Sequence, residues 1–281
     1  MKKFLCFLFV LASIILSGCS QKGQQEGTVR EDGSFAYTQK EGQQFMLTKW
    51  DGSADLDDAQ HNRYSLPWPE KGMLSDEAEH ELLRFYFGDM ASTTFEESAE
   101  QWVMTNWYAE DFDVLHENVY QDTVPQESDG SFNLCYLDGS VEENGNLVLF
   151  WLDYSTYMGG AHGMSTIDCF IYDRTSAKAI GLEDLVDTAD LDEVIAVAIN
   201  NLNVNKKVRE EIYIEGDELK TSFFVPDVFY IDSTRSAIVL IYQVYDIACY
   251  ASGPQEVTLP ASWLAEQHLL TPYAKSIFKV E

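Results

Sequence analysis

Apolar positions recur with different periods along the chain, and the period identifies the elements. From Ser75 to Gly88, Leu82, Leu83, Phe85 and Tyr86 fall on one side of a helical repeat. Ser75 precedes Asp76 and Glu77 as an N-cap would, and Gly88 supplies a stop, so the spacing predicts a helix here. A second helix is predicted over 94–109, with Phe95, Ala99, Trp102, Val103 and Trp107 on one face. Those spacings make its tryptophans core residues rather than a platform for sugars.

Beyond Asn118 the period shortens to two. Ser131–Glu143 and Leu147–Met158 read as strands of a hairpin joined at Asn144-Gly145, a strong two-residue turn signal. Leu147–Leu152 (LVLFWL) is apolar at both alternating positions, which predicts a central strand covered on both faces. The segment YSTYMGGAHGMST, Tyr154–Thr166, then gathers Gly159, Gly160 and Gly163 around His162, before a further strand, Ser165–Asp173. Three glycines in five residues predict a tight connection, with His162 at the end of a buried strand.

Elsewhere the pattern is shorter. FAYT and QQFMLTKW suggest two strand pieces around a turn at Glu41-Gly42, followed by an acidic loop from Asp51. That loop lacks the sixth-position glycine and closing glutamate of a calcium-binding EF-hand. Leu191, Val194, Ile195, Ala198, Ile199 and Leu202 mark an amphipathic helix. Strands are predicted over 219–225, 228–231, 237–245 and 256–259, with a short terminal helix from Pro260. Strands dominate and helices fall between groups of them. The fold class is therefore α+β, mostly antiparallel sheet with a few packed helices, in two associated subdomains, 35–130 and 131–281.

The N-terminus changes the picture. Lys2 and Lys3 precede an apolar run too short to span a bilayer, Phe4–Leu16, which reads as an export signal over residues 1–18. Its ending, Leu16-Ser17-Gly18-Cys19, resembles the bacterial lipobox, which implies lipid on Cys19; the alternative is an ordinary secretory signal that contains a cysteine. Residues 19–34 are polar and glycine-rich, as a flexible tether would be. Ser20 is not the aspartate of inner-membrane retention, so a lipid anchor in the outer membrane is favoured over the inner. No other segment is long and apolar enough to cross a membrane.

The chain has 18 Lys+Arg against 47 Asp+Glu, and loss of Lys2 and Lys3 with the signal leaves 16 against 47, or −31. Such a surface repels nucleic acid and attracts cationic partners. Cys135, Cys169 and Cys249 would remain beside the lipidated Cys19, which allows at most one disulfide. There is no C-x-x-C pair, no G-x-S-x-G, and no paired spacing among the five histidines, His61, His80, His116, His162 and His268. The sequence therefore points to no catalytic residue, no metal and no cofactor.

YSTYMGGAHGMST, GLEDLVD from Gly181, the 191–202 helix and YDIACYASGPQEVTLP from Tyr245 follow one another in an order that resembles a known family. It is that of the extracytoplasmic domain of RsiV-like anti-sigma factors and PdaC-like peptidoglycan deacetylases, a DUF3298-type domain. The resemblance covers about Leu147–Leu264, and 35–129 is more weakly similar to the DUF4163-like region that precedes this domain. It implies a cell-envelope domain whose best-understood members bind lysozyme. Where the family commonly has proline before the late tyrosine, this chain has Cys249 before Tyr250. The RsiV-like transmembrane segment and the separate deacetylase domain have no counterpart here.

The resemblance and the residue types together favour recognition over reaction. Tyr154, Tyr157, Gly159, Gly160, His162, Tyr245 and Tyr250 are the candidate binding residues, because large, partly polar rings anchor interfaces. For His162 the rival reading is a structural one, an imidazole that bonds loop carbonyls and holds the glycine turn in shape. The 157–163 and 246–253 loops are expected to lie side by side. A cationic, lysozyme-like protein is the expected partner; a peptidoglycan- or carbohydrate-binding module is the alternative, and a hydrolase with an unrecognised site the third reading.

Overall fold

The computed structural model describes residues 34–50, 58–105, 107, 116–121, 133–158, 160–187, 214–215, 218–219, 224–247 and 249–281. Cys19, Gly159, the expected tether and the 191–202 helix lie outside the described residues.

The largest element is a seven-stranded sheet among the described residues. Its strands are β1 (Tyr37–Trp50), β2 (Asp58–Pro69), β3 (His116–Gln121), β4 (Asn133–Asn144), β5 (Leu147–Tyr157), β6 (Met164–Asp173) and β7 (Lys178–Ala179). They run in the order β3-β1-β2-β4-β5-β6-β7. All neighbours are antiparallel except β2 and β4, which pair in parallel, Asn62 opposite Cys135. The sheet therefore continues across the 130/131 boundary.

Helices α1 (Asp76–Phe87) and α2 (Phe95–Val103) cover one face. The Ser75 side chain accepts from the Ala78 amide and Thr94 from that of Glu97, the N-cap arrangement expected of their residue types. α2 ends at Val103, four residues before the last apolar position of its predicted repeat, Trp107. The amide nitrogens of Gln60 and Asn62, both buried, donate to the carbonyl of Thr105, and Asn62 also to that of Val103. Those bonds satisfy the C-terminal carbonyls of the helix from outside. Trp107 leaves the helical path with its ring 5.8 Å from that of Trp102.

The opposite face meets a three-stranded sheet of β10 (Val228–Ile231), β11 (Ala237–Tyr242) and β12 (Gln255–Pro260). Short helices complete it: α3 (Leu182–Leu185), α4 (Ala261–Glu266) and α5 (Pro272–Phe278). A separate ribbon pairs β8 (Ile214–Glu215) with β9 (Glu218–Leu219). Strand β5 separates two cores, as its apolar run predicts. Leu147 and Leu149 pack with Ile171, Ile238 and Leu240, whereas Val148, Phe150 and Leu152 pack with Leu82, Tyr86 and Trp102.

Two expectations need correction. There is no turn at Glu41-Gly42, because β1 runs unbroken through both. Gly42 is a point of close approach: a Cβ there would stand 2.5 Å from the Tyr64 hydroxyl, so the bare backbone makes room for that ring. The acidic stretch after Asp51 also turns into strand β2 at Asp58, where alternate polar side chains, Gln60 and Asn62, are the inward ones.

The two cores are tied at Asp173, which is buried at the end of β6. Its carboxylate accepts from Asn146, the Thr175 amide, the Ser176 hydroxyl and, at 2.8 Å, the Tyr273 hydroxyl on α5. Burial pushes its pKa up, but these donors outweigh burial and hold it below the ordinary carboxylate value.

Candidate functional site

Strands β5 and β6 pair as far as Thr156 and Met164, and the chain between them makes the connection that contains His162. Gly163 closes it at a position where a Cβ would stand 2.5 Å from the Thr156 carbonyl oxygen. Gly160 takes a φ of +91°. The Tyr157 hydroxyl donates to the Gly160 carbonyl at 3.1 Å. His162 Nδ1 lies 2.9 Å from the Gly163 carbonyl. A carbonyl only accepts, so Nδ1 is the donor in this contact.

The second loop leaves β11 at Gln243 and is fixed at three points. The Gln243 side chain bridges the two backbone polar groups of Ile167 on β6, accepting from its amide at 3.1 Å and donating to its carbonyl at 2.7 Å. Ile247 is buried in the core shared with β11. The Gln255 amide donates to the carbonyls of Ser252 and Gly253. A short turn over Tyr250–Ser252 results, and it places Tyr250 against the first loop.

There the two loops meet. The rings of His162 and Tyr250 are stacked, with centroids 3.8 Å apart and planes at 16°. Tyr245 adds a third ring 5.8 Å from Tyr250. The residue is 57% exposed, and its backbone holds a φ of +73°. Met158 and Met164, at the ends of the first loop, are also exposed.

Not every candidate residue joins this edge. Tyr157, Gly160, His162, Tyr245 and Tyr250 do. Tyr154 does not: its ring packs against the helix-covered core and its hydroxyl bonds the buried Cys135. Burial raises the Tyr154 hydroxyl pKa and pushes the Cys135 thiol up to about 11. Cys135, Cys169 and Cys249 are all free thiols, and Cys249 Sγ lies 3.4 Å from the Ser252 hydroxyl.

Two residues that the sequence reading passed over shape the site. Gln243 is one. Asp153 is the other: on the β5 face beside the loop it accepts from the Ser155 and Ser165 hydroxyls, each at 2.7 Å. Neither carries a periodicity or motif signal. Among the described residues no group of three or more His, Cys, Asp or Glu could hold a metal ion. None of Trp102, Trp107, Trp151 and Trp263 is exposed; Trp102 is buried and the others are half-buried against the two cores.

Residues 184–262 match the family described as a protein of unknown function, DUF3298. Two solved structures of that family are similar to this chain. One, from Bacteroides fragilis NCTC 9343, is 19% identical with a TM-score of 0.55, over 87% of this chain and 98% of its own. The other, from Pseudomonas aeruginosa PAO1, is 15% identical with a TM-score of 0.50, over 86% and 97%. No curated protein matches. At these identities the likeness is one of fold, and it extends well before residue 184.

Proposed function

We propose that this chain is a lipid-anchored binding protein of the cell envelope, non-catalytic, which recognises another macromolecule through the edge where the two loops meet. The observation that carries the reading is the stack of the exposed His162 on the half-buried Tyr250. Two loops distant in sequence are fixed side by side, with three rings and two methionines at their surface. Such side chains are enriched where proteins dock: rigid aromatic rings cover much area for little loss of rotamer freedom, and methionine adapts to the surface it meets.

The partner proposed is a cationic muramidase such as lysozyme, bound as decoy, inhibitor or sensor component. Support comes from the formal charge of −29, which speeds encounter with a basic protein at low salt. The sequence resemblance to RsiV-like domains points the same way. The lipobox-like Leu16–Cys19 supports anchoring through Cys19, with the outer membrane as the expected location. Calorimetry with lysozyme at low ionic strength tests the reading: binding that His162→Ala weakens supports it, and no heat of binding removes this partner.

A carbohydrate-binding role is the weaker reading. Flat exposed tryptophan or tyrosine platforms favour it, yet Trp102, Trp107, Trp151 and Trp263 pack into the cores, and His162 and Tyr250 cover one face of each other.

A further inference from the structure

We infer that the recognition edge contains a subsite for an arginine side chain of a basic partner protein, formed by Asp153 beneath the loop rings, with Tyr245 held out as the aromatic anchor. This rests on the reading above, that the edge binds a macromolecule.

The surface itself comes first. Among the described residues the exposed large apolar side chains are Tyr120, Met158, Met164, Phe224 and Tyr245. Three of the five stand on the two loops, around the His162–Tyr250 stack. Methionine and tyrosine gathered at one exposed edge are interface chemistry rather than solvent chemistry.

Tyr245 is the least economical of them. A bulky side chain at a φ of +73° is strained, and a glycine or asparagine would hold the same backbone with less strain. More than half of the residue stays exposed, so burial within this chain does little to offset that cost.

Charge then says what sits against the surface. Asp138 on β4 and Asp153 on β5 are direct cross-strand partners, an arrangement in which like charges repel. Asp138 is relieved by Arg63, whose guanidinium lies 3.0 Å from the carboxylate and 4.4 Å over the Tyr136 ring. Among the described residues, the Asp153 carboxylate meets hydroxyls, those of Ser155 and Ser165, and no cation. Ser165 follows Gly163 and Met164, so this carboxylate lies at the foot of the loop. An incoming guanidinium between Asp153 and the loop rings would repeat what Arg63 does between Asp138 and Tyr136. Arginine suits this better than lysine, because its planar fork both stacks on rings and bonds a carboxylate through two N–H groups.

The test titrates the full-length protein at low ionic strength with octa-arginine, octa-lysine, lysozyme and a chitin tetrasaccharide. Octa-arginine is expected to bind more tightly than octa-lysine. Asp153→Asn is expected to weaken octa-arginine by at least ~10-fold, the scale of a lost charged hydrogen bond. It should also raise the thermal midpoint by removing the repulsion from Asp138. Tyr245→Gly is expected to weaken binding without loss of stability, and Tyr245→Asn serves as a second variant tolerant of the same backbone. Unchanged octa-arginine binding in Asp153→Asn and in both Tyr245 variants overturns the inference. Lysozyme binding lost in His162→Ala but untouched by Asp153→Asn and the Tyr245 variants also overturns it while leaving the recognition edge standing. Arginine-selective binding with no lysozyme binding keeps the subsite and removes lysozyme as partner. Tetrasaccharide binding that competes at the edge, without arginine binding, overturns it in favour of a glycan.

Discussion

His162 lies on Tyr250 with ring planes only 16° apart and centroids at 3.8 Å, although 88 residues separate them in the chain. The pair fastens the β5–β6 connection to the loop after β11. If the stack is a mutual support, His162→Ala and Tyr250→Ala should not add. A double-mutant cycle in urea is expected to give a coupling of about 0.5–1.5 kcal/mol, with neither single change unfolding the protein. Additive costs would mean that the rings merely touch.

Gln243 should matter more than an exposed-loop glutamine usually does, because its side chain holds both polar groups of Ile167. Gln243→Ala leaves the Ile167 backbone without these bonds and is expected to cost about 1–3 kcal/mol. Amide exchange at Ile167 should quicken more than at Phe150, which lies deep in β5. Equal exchange in variant and parent would show that Gln243 does not hold the loop.

What the sequence discloses about this edge follows from the kind of interaction involved. The strand LVLFWL announced its double burial because hydrophobic pattern records what each face meets, and both cores are where that pattern puts them. The helix cap at Ser75 was legible too, because an N-cap is a local interaction. Gly42 misled because a glycine signals either a turn or a close approach, and only the position of Tyr64 decides between them. Strand β2 escaped notice because its inward residues, Gln60 and Asn62, are polar and satisfied by carbonyls more than 40 residues away. Gln243 and Asp153 went unseen likewise, since Gln243 bonds Ile167 on β6 and Asp153 bonds Ser165 on β6 besides its neighbour Ser155. Tyr154 looked like its neighbour Tyr157, but it packs toward the helices and Cys135.

Asp173 gives the clearest pH signature. Its folded pKa is held below the unfolded value of about 3.9, so its contribution is fully present above that value. It is lost as pH falls below about 4 and through the folded pKa. Asp173→Asn is expected to cost about 1–3 kcal/mol at neutral pH, where it removes charged hydrogen bonds, and to flatten the acid limb of the stability curve. Urea midpoints between pH 2 and 7 measure both. A variant curve parallel to the parent's across the acid range contradicts the assignment.

Cys19 carries the proposed anchor. Cys19→Ser is expected to move the protein from the membrane pellet to the soluble fraction without altering its fold, since residue 19 precedes every described strand. A variant that remains in the pellet after a salt wash would exclude lipid on Cys19 as the anchor.

The central claim is that a partner docks where the two loops meet, and a hydrogen-exchange footprint tests it most directly. The full-length protein is labelled alone and with excess lysozyme at low ionic strength, and exchange is followed peptide by peptide. The account predicts slowed exchange over 157–165 and 243–253, abolished by His162→Ala, with no change over α5 at Pro272–Phe278. Exchange at both loops that stays the same with lysozyme present, or protection confined to α5 and β12, would contradict it.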